Sequence, residues 1–395
     1  MLSEQAVPVV RATLPAVGGA LDRITERFYG RLFAAHPELL RDLFNRGNQA
    51  NGEQRQALAG SIAAFAVALL EHPDRRPDAM LARIAHKHAS LGVTSEQYKV
   101  VHEHLFAAIA EVLGDAVTPE VARAWDEVYW LMANALVAVE ARLYQEAGVT
   151  EGEVWRSMEI AERREETADT VSFVLRPADG SPTAAFRPGQ YVSVRVALPD
   201  GARQIRQYSL SSAPGRPQWR ITVKRVDGDP AGEVSSWLHA HARAGDAVEV
   251  STPFGDLVLP EGDGPLLLAS AGIGSTPMLA MLDHLVETGS ARPVVVVHAD
   301  RAPASHAHAA ELRRLVDALP QGALHLWYEE PGDSGALPGR ADVTALDLPA
   351  GTIAYLCGPL PFLRAVRGDL LGRGTAAADI HYEVFGPDLW LGAES

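Results

Sequence analysis

The segment Arg206-Gln207-Tyr208-Ser209-Leu210 lies near the centre of the chain and combines a cation, an aromatic ring and a hydroxyl. Because side chains alternate between the two faces of a strand, Arg206 and Tyr208 are expected to share one face. A guanidinium there can bind a diphosphate while the phenol ring lies on a flat ligand, and Ser209 can hydrogen-bond from the strand end. An ordinary half-exposed strand of an antiparallel barrel would show the same pattern, so the interpretation depends on the flanking sequence.

Length and charge limit the classes of protein that the chain can belong to. Its 395 residues suggest roughly two to three domains, each able to bury a core. The formal net charge is −15, from 35 basic and 50 acidic residues, and no block of basic residues occurs. This balance argues against a protein that binds nucleic acid through its phosphates.

The start of the chain and its single cysteine limit where the protein is expected to be located and which redox chemistry its side chains can support. The start, Met1-Leu2-Ser3-Glu4, lacks a basic opening followed by an apolar core, and no later stretch is apolar for long enough to cross a bilayer. We therefore expect a cytoplasmic protein without a membrane span. Cys357 is the only cysteine, which excludes an intrachain disulfide and a cysteine-rich metal or iron–sulfur site. Any redox chemistry requires bound cofactors.

From Met1 to about Gly148 the apolar residues recur at helical intervals. Pro37 predicts the start of a new helix, Gly92 predicts a helix end, and Thr94 with Gln97 predicts a capping box. The apolar positions that carry the pattern are Leu21, Ile24, Phe28 and Leu32, then Leu58, Ile62, Phe65 and Leu69, and later Trp125, Val128, Met132, Ala135 and Val139.

One histidine of this helical part is predicted to point inward. His88 shares a helix face with Leu81 and Ile84, whereas His86 lies on the opposite side of the same helix. A buried imidazole is costly without a partner, and a haem iron is one such partner. His102, on the flank of its helix's apolar face, is the alternative.

One ordered set of residues runs through the whole helical part: Phe28-Tyr29, Leu43-Phe44-Asn45, Asn48-Gln49, Asn51-Gly52, Gln54-Arg55, Leu58, Lys87-His88, Glu96-Gln97-Tyr98 and Glu140. This set resembles the globin domain of flavohaemoglobins. The resemblance implies that the helical part binds haem b.

On the distal side of that haem, the resemblance implies a pocket formed by Tyr29, Gln54 and Leu58, with Phe44 packed on the haem. A phenol donor to partly charged bound oxygen contributes about 1.5–3 kcal/mol. From the residues alone, Tyr29 could instead be a core tyrosine bonded to a backbone carbonyl, and Gln54 a solvated glutamine.

On the proximal side, the resemblance implies that His88 binds the iron, that Lys87 lies near the haem propionates, and that Tyr98 and Glu140 hydrogen-bond toward His88. A carboxylate that accepts the imidazole proton raises the basicity of the ligand and favours oxygen activation over reversible carriage. Without the resemblance, Glu140 would be interpreted as a solvated residue at the edge of an apolar stripe.

After the acidic connector Glu151-Gly152-Glu153 the pattern changes from helical to alternating. A glycine loop at Gly232 then leads into a helix, whose N-terminal amides can bind phosphate. The predicted strands are 171–175, 191–196, 207–210 and 221–223.

The strand segment 206–209 followed by a glycine and a serine at a helix start resembles the flavin domain of the ferredoxin-reductase superfamily. The resemblance implies an FAD held through Arg206, Gln207, Tyr208 and Ser209, with Tyr191 beside the isoalloxazine and with Gly232, Val234 and Ser235 at the diphosphate. A glycine–serine turn can also be a simple helix cap.

From Gly264 onward, strand and helix patterns alternate, which predicts a parallel sheet with ligands at the carboxyl ends of its strands. Two glycine loops follow strands, Gly272-Ile273-Gly274-Ser275-Thr276-Pro277 and Cys357-Gly358-Pro359. Within the superfamily these resemble the nicotinamide-binding loops, although Cys357 could equally be a small buried hydrophobic residue.

Two further features concern the nicotinamide nucleotide. The segment 383–387 resembles the family's closing segment, whose aromatic residue, here Phe385, covers the flavin. At the end of a predicted strand, Asp300 could accept a hydrogen bond from a ribose hydroxyl, and Arg301 could instead meet a phosphate. We favour NADH over NADPH, as the resemblance implies.

Taken in order, the motifs resemble a flavohaemoglobin over essentially the whole chain. We expect a multidomain protein with an all-α globin domain over residues 1–148, an antiparallel β-barrel FAD domain over 152–259 and an α/β NAD(P)H-binding domain over 260–395, the last two of ferredoxin-reductase type.

This resemblance implies a nitric oxide dioxygenase, in which NAD(P)H reduces FAD, electrons pass singly to the haem, and nitric oxide and O2 become nitrate. The implied partners are O2, nitric oxide and NAD(P)H, and we expect a monomer; a lipid in the distal pocket is left open. Two alternatives are a haem–flavin reductase of peroxides, quinones or ferric complexes, and a sensor or store of oxygen or nitric oxide.

Overall fold

The computed structural model describes residues 1–50 and 52–386. The described residues form two compact units, one made of residues 1–155 with 195–205 and the other of 156–194 with 206–386. Asn51, which belongs to the globin-like motif, and Pro387, the last residue of the segment 383–387, lie outside the described residues, as do residues 388–395.

The first unit is helical, as predicted. Apolar side chains at helical spacing bury one face of the first helix, where Ile24, Phe28 and Leu32 are almost fully buried. The helices are α1 (Ala6–Ala35), α2 (Pro37–Asp42), α3 (Arg46–Ala50), α4 (Glu53–Glu71), α5 (Asp78–Leu91), α6 (Ser95–Leu113) and α7 (Pro119–Glu146).

The predicted start and stop signals act at the helix ends. Pro37 is the first residue of α2, and Gly92 ends α5 in the left-handed conformation, with φ of 75°. Thr94 and Gln97 form the capping box that opens α6. These ends position α5, α6 and α7 so that His88, Tyr98 and Glu140, one residue from each helix, lie in contact.

The second unit begins with a six-stranded sheet in the order β4-β3-β6-β1-β2-β5. The strands β1 and β2 pair antiparallel, as do β2 and β5. The edge strands β4 and β5 are joined by an antiparallel bridge between Leu210 and Ile221, which closes the sheet into a barrel. Its elements are β1 (Trp155–Thr167), β2 (Thr170–Pro177), β3 (Tyr191–Ala197), β4 (Arg203–Ser209), β5 (Trp219–Lys224), α8 (Glu233–His241) and β6 (Ala247–Ser251).

The sequence analysis did not predict strands β1 and β6. Most of the side chains in β1 are charged, and only Met158 and Ile160 are deeply buried. The backbone pairing with β2 stabilises β1 instead, and it places Arg176 beside Glu159 at 2.7 Å, a surface ion pair that adds little. A strand held by its neighbour in this way has little apolar alternation of its own.

The rest of this unit is a parallel sheet in the order β10-β9-β8-β7-β11-β12, and every adjacent pair runs parallel. The order reverses between β7 and β11, which creates the crevice where such sheets bind nucleotides. Its elements are β7 (Leu266–Ala271), α9 (Ser275–Glu287), β8 (Val294–Asp300), α10 (Ala309–Asp317), β9 (Gly322–Tyr328), β10 (Leu337–Pro338), β11 (Ile353–Cys357), α11 (Leu360–Gly372) and β12 (Ile380–Glu383).

The helical part, the closed barrel and the parallel sheet are the three parts that the sequence predicted. Within the described residues, no helix is both long and apolar enough to cross a membrane.

Candidate functional site

Three residues from three helices form a hydrogen-bonded cluster in the helical unit. Oε1 of Glu140 on α7 lies 2.9 Å from Nδ1 of His88 on α5 and 2.6 Å from the hydroxyl of Tyr98 on α6. Burial, followed by the negative charge of Glu140, raises the pKa of Tyr98, so the tyrosine stays protonated and donates. The carboxylate therefore holds the proton of His88 on Nδ1.

The other nitrogen of this imidazole is free for a metal. Nε2 of His88 has no hydrogen-bond partner in the described part of the chain, and the His88 side chain is 33% exposed whereas that of Glu140 is 3% exposed. An imidazole whose Nδ1–H is bound by a carboxylate and whose Nε2 faces open space has the arrangement of a metal-bound histidine. These residues fit a haem iron at His88, with Lys87 preceding it on α5.

His102, the alternative ligand, is engaged elsewhere. Its Nε2 lies 2.6 Å from Oδ1 of Asp126, and its ring stacks on Phe106 at 4.4 Å between centroids. His102 therefore lacks the unpaired Nε2 that His88 shows, and His88 stays the predicted ligand.

A second cluster of the helical unit surrounds Tyr29, which is 5% exposed and hydrogen-bonds with Gln54 and Gln49. Burial raises the pKa of its hydroxyl, while the two amides oppose that rise. The ring of Phe44 meets that of Tyr29 edge to face at 5.8 Å. The structure brings Tyr29, Gln54 and Phe44 together, and sequence reasoning had given Gln49 no role.

Leu58 lies one helical turn after Gln54 on α4 and is partly buried. Residues four apart share a helix face, so both side chains can contact one ligand. The partner of Tyr29 on this helix is Gln54.

In the barrel, strand β4 carries the central segment of the sequence. Nη2 of Arg206 lies 4.0 Å from Oε2 of Glu233, the first residue of α8, and Nε2 of Gln207 donates to Oγ of Ser193 at 3.0 Å. Burial raises the pKa of Tyr208, and the charge of Arg206 opposes this. The Arg206 guanidinium on β4 is thus close to the start of α8, where the sequence predicts a phosphate site.

The glycine loop before α8 is a tight cradle. A Cβ on Gly232 would lie 2.7 Å from Oγ of Ser235 and 2.8 Å from Cβ of Val226, so only glycine fits. The Ser235 hydroxyl accepts from the amide of Val226 at 3.1 Å, and the Val234 side chain is fully buried. These two residues can therefore offer a diphosphate their backbone amides rather than their side chains.

Tyr191 and Ser209, two further residues predicted to bind the flavin, lie on β3 and β4. Tyr191 is largely buried and forms a two-way backbone bridge with Phe254, at 2.8 and 2.9 Å. Ser209, the last residue of β4, is also buried. Tyr191 at the start of β3 and Ser209 at the end of β4 therefore lie at the same end of the sheet, where the amide of Leu210 donates to the carbonyl of Gln190 at 3.0 Å.

The two predicted nicotinamide loops touch each other. A Cβ on Gly274 would lie 2.3 Å from the carbonyl oxygen of Cys357 and 2.8 Å from the amide nitrogen of Gly358. Gly272, with φ of 54°, makes the turn that allows this approach. The loops after β7 and β11 therefore form one surface at the point where the strand order reverses.

One buried polar atom on this surface lacks a partner. Oγ of Ser275, the first residue of α9, is buried and finds no hydrogen-bond partner among the described residues. Thr276 next to it donates to the carbonyl of Ile273 at 3.0 Å, and Pro277 follows in the first turn. An unpaired buried hydroxyl at a helix start fits a phosphate of a nicotinamide nucleotide.

The structure shows what Cys357 does. Its side chain is fully buried in the apolar core of the sheet, and burial, followed by the charge of Glu383, raises the pKa of its thiol. A buried neutral thiol is unreactive, so the backbone of Cys357, rather than its sulfur, faces Gly274. Pro359 caps α11 after this loop, and Phe385 is 46% exposed.

Asp300, expected to accept from a ribose hydroxyl, is already engaged. Its side chain is 4% exposed, and Oδ1 accepts from the Ser305 hydroxyl at 2.8 Å and from the Arg301 amide at 2.7 Å. Burial would raise the pKa of Asp300, but its partners His298 and Ser305 outweigh burial and lower the pKa to about 2. Arg301 is 68% exposed and lies 3.7 Å from Asp169.

Family models match each of the three parts. The globin model matches residues 26–136, the model of the oxidoreductase FAD-binding domain matches 157–258, and that of the oxidoreductase NAD-binding domain matches 268–368. The fold and the sites therefore define an oxidoreductase that combines haem, FAD and a nicotinamide nucleotide.

Relatives with the same combination span the full chain. The chain is 44% identical to a flavohemoprotein of Chromobacterium violaceum, with 98% of each chain covered. It is 42% identical to a flavohemoprotein of Rhizobium meliloti, with 99% of this chain and 100% of that protein covered. The chain belongs to the flavohemoprotein family.

Solved structures agree with this assignment. The flavohemoglobin of Malassezia yamatoensis, solved with bound FAD and haem, superposes with a TM-score of 0.90 at 38% identity and covers 98% of this chain and 100% of that one. The FAD/NAD-binding domain of a nitric oxide dioxygenase from Vibrio cholerae has a TM-score of 0.56 at 38% identity, over 60% of this chain and 100% of that one.

Proposed function

We propose that this protein is a nitric oxide dioxygenase, which converts nitric oxide and O2 to nitrate with electrons from NAD(P)H. The observation that carries the proposal is the bond between Nδ1 of His88 and the buried carboxylate of Glu140. The name of the Vibrio cholerae relative, a nitric oxide dioxygenase, supports the same activity.

Glu140 determines the electronic character of the iron ligand. By accepting the Nδ1 proton, the carboxylate gives the imidazole partial anionic character and increases its donation through Nε2. Strong donation favours oxygen activation over reversible carriage, which argues for an enzyme rather than a store. The Tyr98 hydroxyl, at 2.6 Å, fixes the orientation of the same carboxylate.

Tyr29 supplies the opposite side of the pocket. The raised pKa of its hydroxyl keeps the proton in place as a donor near neutral pH, and Gln54 and Gln49 orient it. A positioned hydroxyl can hold a small polar ligand against diffusion and direct it toward a second reactant. In this proposal Tyr29 binds O2, and Leu58 and Phe44 exclude water around it.

The reductase part connects a two-electron donor to a one-electron acceptor. When bound, FAD accepts a hydride from NAD(P)H and releases the two electrons singly. The protein's contribution is positional: Arg206 and the Gly232 loop hold the diphosphate, and the contact between Gly274 and Cys357 shapes the surface for the nicotinamide.

We propose NADH as the preferred nucleotide on the basis of the family resemblance. The Asp300 carboxylate does not support this choice, because it would have to give up its bonds to Ser305 and Arg301 to reach a ribose. The guanidinium of Arg301 is 68% exposed and holds only a long ion pair with Asp169, at 3.7 Å, so it can approach a phosphate. The two nucleotides therefore need direct comparison.

A nitric oxide electrode tests the proposal. Purified protein with haem and FAD is given O2, nitric oxide and either NADH or NADPH, and nitrate is quantified at the end. Consumption of nitric oxide that requires the nucleotide and yields one nitrate per nitric oxide supports the dioxygenase. A haem that is reduced by NADH but consumes no nitric oxide contradicts it and leaves a haem–flavin reductase of another acceptor.

A further inference from the structure

Three residues that follow the flavin strand β4 are held from two sides. Ser211, Ser212 and Ala213, here called the exit segment, come directly after the bridge residue Leu210 and are almost fully buried. The hydroxyl of Ser212 has no hydrogen-bond partner among the described residues, so this side chain does not anchor the segment. The exit segment and the two helices that contact it, α9 and α10, all belong to the second unit.

Asp283 on α9 binds one end of the exit segment. Its carboxylate is buried, with the residue 4% exposed. Oδ2 accepts from the backbone amide of Ala213 at 2.9 Å, and Oδ1 accepts from Nη2 of Arg216 at 2.8 Å. A buried carboxylate is costly unless polar groups bind it. Because one of its two partners is a backbone amide, the position of Ala213 is linked to that of α9.

Helix α9 begins at the predicted nucleotide site. Its first residue is Ser275, whose buried hydroxyl is unpaired within the described part of the chain, and Asp283 follows on the same helix roughly two turns later. The helix also packs directly on the barrel, because a Cβ on Gly189 would lie 2.6 Å from Cε of Met281. Helix α9 therefore connects the nucleotide site to the exit segment.

Arg220 on β5 binds the other end of the exit segment. Its Nε donates to Oγ of Ser211 at 3.0 Å, and its Nη2 donates to the carbonyl oxygen of the same residue. Nη1 donates to Oε2 of Glu311 on α10 at 2.8 Å. A guanidinium presents its donors in a rigid fork, so it fixes the angle between its partners. The exit segment is thus bound to two helices of the nucleotide-binding sheet.

The exit segment is close in sequence to the residues predicted to bind the flavin, since Ser209 is two positions before Ser211. Transfer of a hydride requires the reacting atoms to lie roughly 3–3.5 Å apart with the correct orientation. Here the donor site lies at the start of α9 and the acceptor site at the end of β4. Contacts that join α9 and α10 to the exit segment therefore bear on the distance between donor and acceptor.

We infer that Asp283 and Arg220 are positioning residues for hydride transfer: through Ala213 and Ser211 they hold the end of the flavin strand at a fixed distance from the nucleotide site. In that step a hydride leaves C4 of the nicotinamide with both electrons, NADH becomes NAD+, and FAD is reduced. Neither residue gains or loses an electron or a proton. The inference rests on the haem–flavin oxidoreductase and on the flavin site implied at residues 206–209, not on nitric oxide as substrate.

Asp283→Leu tests the inference, because leucine has nearly the shape of aspartate and accepts no hydrogen bond. Asp283→Asn is the conservative variant, since its amide oxygen can still accept from Ala213. Glu287→Leu is the matched control: Glu287 lies one turn later on α9 and accepts from Nε of Arg216 at 2.9 Å, but its bond is to Arg216 and not to the exit segment.

The first readout is amide hydrogen exchange of residues 210–213 in the protein with haem and FAD bound, which does not depend on turnover. We expect exchange there to rise about tenfold in Asp283→Leu, as loss of one ordinary hydrogen bond predicts. Asp283→Asn and Glu287→Leu should exchange at the wild-type rate.

The second readout is flavin bleaching by stopped flow, without oxygen or nitric oxide, over a range of NADH concentrations. The limiting rate should fall about tenfold in Asp283→Leu, because a misplacement of 1 Å can cost about 100-fold. The Kd for NADH and the FAD content should stay at wild-type values, and Asp283→Asn should recover most of the rate. NADH deuterated at C4 should give an isotope effect at least as large as in wild type, because hydride transfer is the step that slows.

A role in folding alone would lower the FAD content or the unfolding midpoint and leave the limiting rate of the FAD-bound protein unchanged. Unchanged exchange at 210–213, an unchanged limiting rate, a change confined to the Kd for NADH, or equal slowing in Glu287→Leu would each overturn the inference.

A second variant covers the case in which Asp283→Leu does not fold. Arg220→Lys keeps a positive charge beside Glu311 but lacks the fork that binds Ser211 at the same time, so it should show the same loss of limiting rate to a smaller degree. Wild-type exchange and a wild-type limiting rate in a folded Arg220→Lys would count against the inference. If neither NADH nor NADPH bleached the wild-type flavin, the oxidoreductase and this inference would fall together, whereas failure of the nitric oxide assay alone would leave these readouts unaffected.

Discussion

The carboxylate of Glu140 lies 2.9 Å from Nδ1 of His88, a residue 52 positions earlier on another helix. Glu140→Gln keeps the size of the side chain and removes its charge, so the imidazole loses anionic character while the iron ligand stays. We expect turnover with nitric oxide to fall about 10- to 100-fold, the usual effect of losing such a partner, and the ferric/ferrous potential to rise. Glu127→Gln, on the same helix but at the surface, is the control. An unchanged potential would remove Glu140 from this role.

Tyr29→Phe removes one hydroxyl from a buried ring. If that hydroxyl holds bound O2, dissociation of O2 from the reduced protein should be about ten times faster, because a hydrogen bond to a partly charged acceptor is lost. Flash photolysis or stopped flow measures this rate. Tyr129→Phe is the matched control, since the Tyr129 hydroxyl bonds the backbone carbonyl of Tyr98. Equal rates in wild type and Tyr29→Phe would place the hydroxyl elsewhere.

His88→Ala should yield a protein that binds FAD but retains no haem, because the imidazole supplies the bond to iron and the flavin residues lie in the other unit. Absorbance spectra and pyridine haemochrome content measure both cofactors. His102→Ala should keep haem, since His102 is bonded to Asp126. Normal haem content in His88→Ala would refute the ligand assignment.

Gly274→Ala should impair the nicotinamide site alone. The new methyl group would lie 2.3 Å from the carbonyl oxygen of Cys357, so the two loops must separate. We expect a higher KM for NADH and slower flavin bleaching, with haem and FAD content unchanged. The control is Gly368→Ala in α11, where a Cβ meets nothing within 4 Å. A normal KM in Gly274→Ala would show that the contact between the loops does not shape the nucleotide site.

Glu311 gives the second unit a dependence of stability on pH. Burial alone would raise the pKa of Glu311, but the hydrogen bond from His308 and the charge of Arg220, at 2.8 Å, lower it to about 2. A carboxyl whose folded pKa is depressed stabilises the fold above its unfolded pKa, near the ordinary glutamate value of 4.5, and this stability is lost as pH falls toward 2.

Between pH 4.5 and pH 2, the unfolding free energy of the wild type should therefore fall by on the order of 2 kcal/mol more than that of Glu311→Gln. Urea denaturation at a series of pH values, with tryptophan fluorescence as the signal, measures the slope. Glu330→Gln, an exposed carboxylate of the same unit, should leave the slope as in wild type. Identical slopes for wild type and Glu311→Gln would contradict this assignment.

Several features could be predicted from the sequence because they depend only on residues that are close together in the chain. The helical spacing of Leu81, Ile84 and His88 pointed to His88, the histidine that contacts Glu140 and Tyr98, without tertiary information. Glycine loops after strands predicted the sites at Gly232 and Gly274, because the backbone there must turn tightly. The change from helical to alternating apolar spacing after the acidic connector separated the helical part from the barrel.

Other features depend on residues that are distant in the chain. Strand β1 is mostly charged and is stabilised by its pairing with β2, so its own pattern did not predict it. Asp300 matched a ribose-binding position in sequence, yet the turn that follows it brings Ser305 to its carboxylate and buries it.

The sequence by itself determined the order of the three parts, the helix ends and the residue types available at each site, because these follow from backbone propensity and from the periodicity of apolar side chains. Only the tertiary structure decided which groups act together, such as Gly274 with Cys357 and Arg220 with Glu311; the pairing of Glu140 with His88 was expected only through the family resemblance. The physical reason is that hydrogen bonds and steric contacts depend on distances of a few ångströms, and the sequence spacing of these pairs leaves such distances undetermined.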